Sequence, residues 1–143
     1  MKIRKAKVED AKGICMICSE DLGYLCEPCL VEEKLKKLDS EREAVFVAVS
    51  DENAVAGYIH IERYDTLYLE TMGNILGLAV KSACRRSGIG RRLVAEAESW
   101  AKNSGINLIR LNSGFTRKDA HEFYRNLGYG SEKEQIRFMK KLI

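Results

Sequence analysis

The sequence predicts a mixed α/β fold, one sheet flanked by helices, and three observations predict it. Apolar runs of strand length recur along the chain. Segments with helical spacing alternate with them, and glycines punctuate the transitions. The 143 residues suit a single domain over 1–143, and at 45% hydrophobic residues that domain can build a real core.

Ile3 to Lys7 reads as a short opening strand. Glu9 and Asp10 open a helix running to about Glu20, since acids favour the positive N-terminal end of a helix. Asp21-Leu22-Gly23-Tyr24 breaks it, and a charged surface helix is expected over about 31–38. Ala44–Val49 is a continuous apolar run, the pattern of a strand covered on both faces. Asp51-Glu52-Asn53 turns the chain into a returning strand, Val55 to Glu62, and Ile75 to Val80 is a third apolar run. Leu93, Ala97, Trp100 and Ala101 then form the stripe of the clearest helix, which Gly105 stops. Ile106 to Asn112 reads as a strand. Thr116-x-x-Asp119 resembles a capping box for a helix over about 118–127, and Gln135 to Leu142 reads as a closing strand.

Net charge is only +3, too little to point to nucleic acid. Its distribution is more informative. No acidic residue occurs from Thr71 to Ala95, a window that holds Lys81, Arg85, Arg86, Arg91 and Arg92. A solvated basic face is the bland explanation; a site for a small polyanion is the sharper one. The local order favours the second. A strand ending Leu78-Ala79-Val80 feeds a turn, and Gly88-Ile89-Gly90-Arg91 opens a helix. The first N–H groups of a helix lack internal partners, glycine lets a phosphate approach the backbone, and arginines add charged hydrogen bonds. The nucleotide P-loop pattern is absent, and Leu93 stands where the dinucleotide fingerprint requires glycine or alanine.

Arg85-x-x-Gly88-x-Gly90 resembles the pyrophosphate signature of the GNAT superfamily of N-acetyltransferases. Ala120-His121-Glu122-Phe123-Tyr124-Arg125-Asn126-Leu127-Gly128-Tyr129 is similar to that family's late helix, and residues 3–11 to its opening strand and helix. The resemblance implies a mostly antiparallel central sheet with one splayed parallel strand pair, into whose wedge coenzyme A enters. It implies a transferase, an acetyl-CoA-dependent N-acetyltransferase, that passes the acetyl group directly to a primary amine of a small molecule or peptide. A non-catalytic acyl-CoA-binding module of the same fold is the rival reading. Pantetheine would pair with the backbone of Leu78, Ala79 and Val80, and the diphosphate would rest on Arg85, Arg86, Ser87, Gly88, Ile89, Gly90 and Arg91. A backbone N–H near Ala79 or Val80 would polarise the thioester carbonyl. Tyr124 would protonate the leaving thiolate; its alternative is simple packing at the edge of the Ala120, Phe123, Leu127 stripe.

Asn74 departs from the pattern: some members of the family carry a basic glutamate at that position, and an amide cannot take a proton. Glu62, Glu70, His60 or a water chain remain as candidates. The acids Glu20, Asp21, Glu27, Glu32 and Glu33 suit a cationic acceptor or an ordinary surface.

Cys15-x2-Cys18 and Cys26-x2-Cys29 raise the question of zinc. Ile14, Ile17, Cys18 and Leu22 recur at helical spacing, and the interval between the pairs is short for paired ligands, so reduced structural thiols without metal are expected. Cys84 reads as an incidental lone thiol. No apolar run is long enough for a membrane span and no signal-peptide stretch opens the sequence, so a cytoplasmic chain without membrane or nucleic-acid partners is expected. A homodimer is compatible with these features.

Overall fold

A computed structural model describes residues 1–143, which divide into two compact units, Met1–Leu111 and Asn112–Ile143. In the first, strands β1 (Lys2–Lys5), β2 (Glu43–Val49), β3 (Val55–Tyr64), β4 (Met72–Val80) and β5 (Ile109–Leu111) form one sheet in that order. β1 to β4 are antiparallel to their neighbours, and only β4 and β5 run parallel. This is the mixed α/β architecture the sequence predicts.

β2 lies inside the sheet between β1 and β3, and six of its seven residues are buried. On one face Val45, Val47 and Val49 join Ile14 of α1 (Ala11–Asp21), with Val31 and Leu35 of α2 (Pro28–Lys36) packed against them. The other face carries α3 (Ile89–Asn103), whose Leu93, Val94, Ala97 and Ala101 are buried. Gly57 marks how closely α3 lies: a Cβ there would meet Leu93 Cδ1 at 3.1 Å and Ile89 Cγ2 at 3.4 Å.

Arg4 and Asp10 fasten β1 to the start of α1. Arg4 donates to both Asp10 carboxylate oxygens at 2.7 and 3.0 Å, and the Lys7 N–H donates to Oδ2 at 2.7 Å. Burial works to raise the Asp10 pKa, but the Arg4 and Lys7 hydrogen bonds outweigh it and hold the carboxyl below its usual 3.8. A depressed folded-state pKa stabilises the protein above the unfolded value, and that contribution is lost as pH falls through the folded one. Asp10→Asn is therefore expected to cost about 1–3 kcal/mol at pH 7. Urea unfolding from pH 7 to 2.5 should show the difference from wild type vanishing below pH 3.8, while a pH-independent difference would assign the loss to packing.

Several boundaries differ from the sequence reading. Helix α2 begins at Pro28, which occupies its first turn, where a missing N–H costs nothing. The strand expected over 106–112 is reduced to Ile109–Leu111.

In the second unit, α4 spans Lys118–Asn126. Its N-cap is Arg117, without a side-chain cap bond, so the Thr116 capping box does not form. Lys118 Nζ instead lies 4.1 Å from the centre of the Phe115 ring. The closing strand expected over 135–142 is also absent: residues 129–143 carry no regular structure, and Ile136, Phe138, Met139 and Leu142 are exposed. Strand propensity needs a partner to receive its N–H and C=O groups, and the segment has no ladder here.

Candidate active site

The end of β4 and the start of α3 form the phosphate-loop candidate. After Lys81 a short 3₁₀ turn, Ser82–Cys84, leads through Arg85, Arg86 and Ser87 to Gly88. Gly88 is the N-cap of α3 at φ +83°, a left-handed conformation that glycine adopts without cost. A Cβ there would meet nothing within 4 Å, so packing does not explain the glycine. No side chain caps α3, and its first turn holds no acid. Its first N–H groups are thus left for an external acceptor. Arg86 and Arg91 are exposed, and Arg86 also has positive φ (64°). Ile89 is buried by its side chain, so only its backbone can serve a ligand.

Arg85 is not idle. It donates to Val80 O at 3.3 Å and to Asp21 Oδ1 at 3.2 Å, and the Ser82 hydroxyl donates to the same Asp21 oxygen. The Asp21 side chain is only 2% exposed. Asp21, among the acids whose sequence suits either a cationic acceptor or an ordinary surface, has its side chain buried against the loop of Ser82 and Arg85. Its spacing from residue 85 carries no signal of this, because the contact joins the end of α1 to a turn 61 to 64 residues away.

Leu78, Ala79 and Val80 pair with Ile59, Tyr58 and Gly57 on one edge of β4. The other edge is different. β5 pairs only with Gly73, Asn74 and Ile75, whereas β4 continues to Val80. A register shift opposite His60 and Ile61 leaves Leu76 without a partner on β3, and Leu76 is 51% exposed. This bulge, a feature that locally disrupts a ladder, falls just where the parallel pairing stops. The result is an open backbone edge of five residues, about 16 Å at roughly 3.3 Å per residue, ending at the glycine loop.

Beside the closed end of that wedge lies a polar rung. Glu43, Glu62, Asn74 and Arg110 are successive register partners across β2, β3, β4 and β5, so their side chains share a face. Arg110 donates to Asn74 Oδ1 at 2.7 Å, and Asn74 Nδ2 donates to Glu62 Oε2 at 2.8 Å. The Arg110 guanidinium also stacks 4.5 Å over the Tyr64 ring. His60 Nε2 bonds Glu43 Oε1 at 2.7 Å. Asn74 is one of two buried polar residues in the core, the other being Asp10. Among the candidate bases, Glu62 and His60 therefore lie on this face.

Tyr124 belongs to the second unit. Its ring meets Phe123 and Tyr129 edge-to-face, with centroids 5.2 and 5.9 Å apart. Burial raises its pKa above the ordinary phenol value, with Arg117 working in the opposite direction. His121 Nε2 bonds Gly114 O at 2.8 Å, a local structural contact.

All five cysteines are free thiols. Cys15 donates to Cys26 O at 2.9 Å and Cys18 to the Tyr58 hydroxyl at 3.3 Å. Burial and the neighbouring Cys15 and Cys18 push the Cys26 thiol up to about 12, which opposes the deprotonation a metal ligand needs. No three His, Cys, Asp or Glu side chains are grouped to hold a metal ion, and no helix is long and apolar enough to cross a membrane.

Known proteins share the family and the fold of this chain. Residues 13–129 match the Acetyltransferase (GNAT) family. An uncharacterized N-acetyltransferase of Bacillus subtilis (strain 168) is 42% identical over 50 residues, so that the match spans only 35% of either chain. The aminoglycoside N(6')-acetyltransferase type 1 of Acinetobacter haemolyticus is 27% identical over 77% of this chain and 79% of its own. Among solved structures, a transcriptional regulator from Bacillus halodurans C-125 superposes with a TM-score of 0.85 at 25% identity, covering 97% of this chain and 99% of that one. AAC(6')-Iy, in complex with the bisubstrate analog CoA-S-monomethyl-acetylneamine, gives 0.79 at 17% identity over 98% and 97%.

Proposed function

Because the chain belongs to the GNAT family of acetyltransferases, we propose that it transfers the acetyl group of acetyl-CoA directly to a primary amine. The reading takes residues 1–143 as one functional domain. The observation that carries it is the open edge of β4 running into the Gly88 turn at the uncapped start of α3.

Acetyl-CoA supplies an activated thioester. The chain's own groups do the rest. The diphosphate is held by the backbone from Arg85 to Arg91 and by the charges of Arg86 and Arg91; the backbone of Leu78, Ala79 and Val80 pairs with the pantetheine arm. A backbone N–H on the open edge of β4 donates to the thioester oxygen, where negative charge grows as nitrogen attacks. Tyr124, whose phenol is protonated near neutrality, donates to the departing thiolate. The acceptor is a small cationic amine: the A. haemolyticus relative is named for aminoglycosides, and Glu43 and Glu62 put negative charge beside the wedge.

The test is to mix the protein and acetyl-CoA with sisomicin, aminomethylphosphonate, spermidine and a lysine peptide in turn. Free thiol should appear in step with acetylated amine for at least one of them. Tight acetyl-CoA binding with no thiol release would favour a regulatory acyl-CoA-binding module, a reading motivated by the similarity to the B. halodurans transcriptional regulator.

A further inference from the structure

We propose that Glu62 accepts the proton of the acceptor ammonium, with Asn74 and Arg110 as positioning residues; this rests on the acetyl-transfer reading above. A guanidinium has donors only, so Arg110 fixes the Asn74 carbonyl towards itself and thereby turns the Asn74 amide N–H towards Glu62. The buried Asn74 therefore has one orientation. It carries the influence of a cation to a carboxylate and leaves Glu62 Oε1 to receive a proton.

The rung is poor design for stability alone. Glu43 and Glu62 stand directly opposite each other on neighbouring strands, where like charges destabilise a sheet. A buried amide and two facing carboxylates in one rung mark a place where local rules yield to function. His60 engages Glu43 at 2.7 Å, so of the two carboxylates Glu62 is the one not held by an imidazole. The ionisable groups facing Glu62 are Glu43 on β2, His60 and Tyr64 on β3, and Arg110 on β5.

Position completes the case. The Asn74–Arg110 pair is one step from the last parallel pair, Ile75–Leu111, after which the edge of β4 opens. A donor whose diphosphate lies at Gly88 extends back along the open edge of β4 towards this end, where water relays the proton to Glu62. Of the three ammonium protons, one passes to Glu62 and on to solvent as nitrogen bonds the acetyl carbon. One stays on the amide. The third balances the proton taken up by the thiolate as the C–S bond breaks.

The experiment compares wild type, Glu62→Gln, Asn74→Leu and His60→Gln from pH 6 to 10, with whichever amine of the panel above is acetylated. Glu62→Gln should lower kcat/KM about 100-fold at pH 7, and the loss should shrink towards unity near pH 10 as the amine, with a reference pKa of about 10.4, sheds its own proton. Asn74→Leu should show a smaller loss with the same pH trend. His60→Gln should cost less than about threefold, the range left to a group outside the proton path. Acetyl-CoA affinity by calorimetry should be unchanged in all three. A Glu62→Gln rate equal to wild type, a loss constant across pH, or a large pH-dependent loss in His60→Gln instead would overturn the assignment while leaving acetyl transfer intact. Wild type inert towards every amine would sink the acetyl-transfer reading, and Glu62 with it.

Discussion

Tyr124→Phe is expected to slow the chemical step by roughly 10- to 1,000-fold, with rescue by water setting the low end. The substitution keeps the ring and its edge-to-face contacts with Phe123 and Tyr129, so the fold of α4 should survive. Only the hydroxyl is lost, a group that in a phenol stays protonated at neutral pH. Acetyl-CoA affinity should change far less, because the proposed donor contacts are made by residues 78–91. Lost turnover with retained binding marks an interaction made mainly in the transition state. A thiol with a reference pKa of about 8.5 is already a fair leaving group, so steady-state rates limited by amine attack would understate the effect. The measurement is therefore a single-turnover rate by rapid mixing at saturating donor. An unaltered rate would remove Tyr124 from the reaction and leave the donor site standing.

Gly88→Val should weaken coenzyme A binding at least about tenfold, or roughly 1.4 kcal/mol. Two causes act together. A β-branched residue at φ +83° is strained by about 1–2 kcal/mol, and its side chain stands where a phosphate must approach the backbone. Nothing in the protein lies within 4 Å of the added Cβ, so the fold should tolerate the change with a modest fall in melting temperature. Calorimetry on the folded variant measures the loss. Undiminished affinity would put the diphosphate somewhere other than this turn.

Much of this was legible in the residues themselves. The continuous apolar run 44–49, the stripe of Leu93, Ala97 and Ala101, and the glycine-bearing turn between strand and helix are local patterns. They specify β2, α3 and the loop between β4 and α3 because period, turn chemistry and uncapped helix ends act over a few residues. The motif Arg85-x-x-Gly88-x-Gly90 and the late helix around Tyr124 were readable for the same reason. Tertiary structure decided what depends on partners distant in sequence. The parallel pairing that ends at Ile75–Leu111, and so opens the wedge, is a register between strands separated by a helix. The charge neutralising Arg85 comes from Asp21, and the carboxylate beside Asn74 comes from β3. The strand expected over 135–142 fails on the same principle, since a segment becomes a strand only when another strand receives its hydrogen bonds. Sequence determined the glycine-bearing turn between β4 and α3 because its chemistry is contained in one short segment. Only the fold could assemble the rung beside the wedge, because its four side chains come from four strands and meet solely through register.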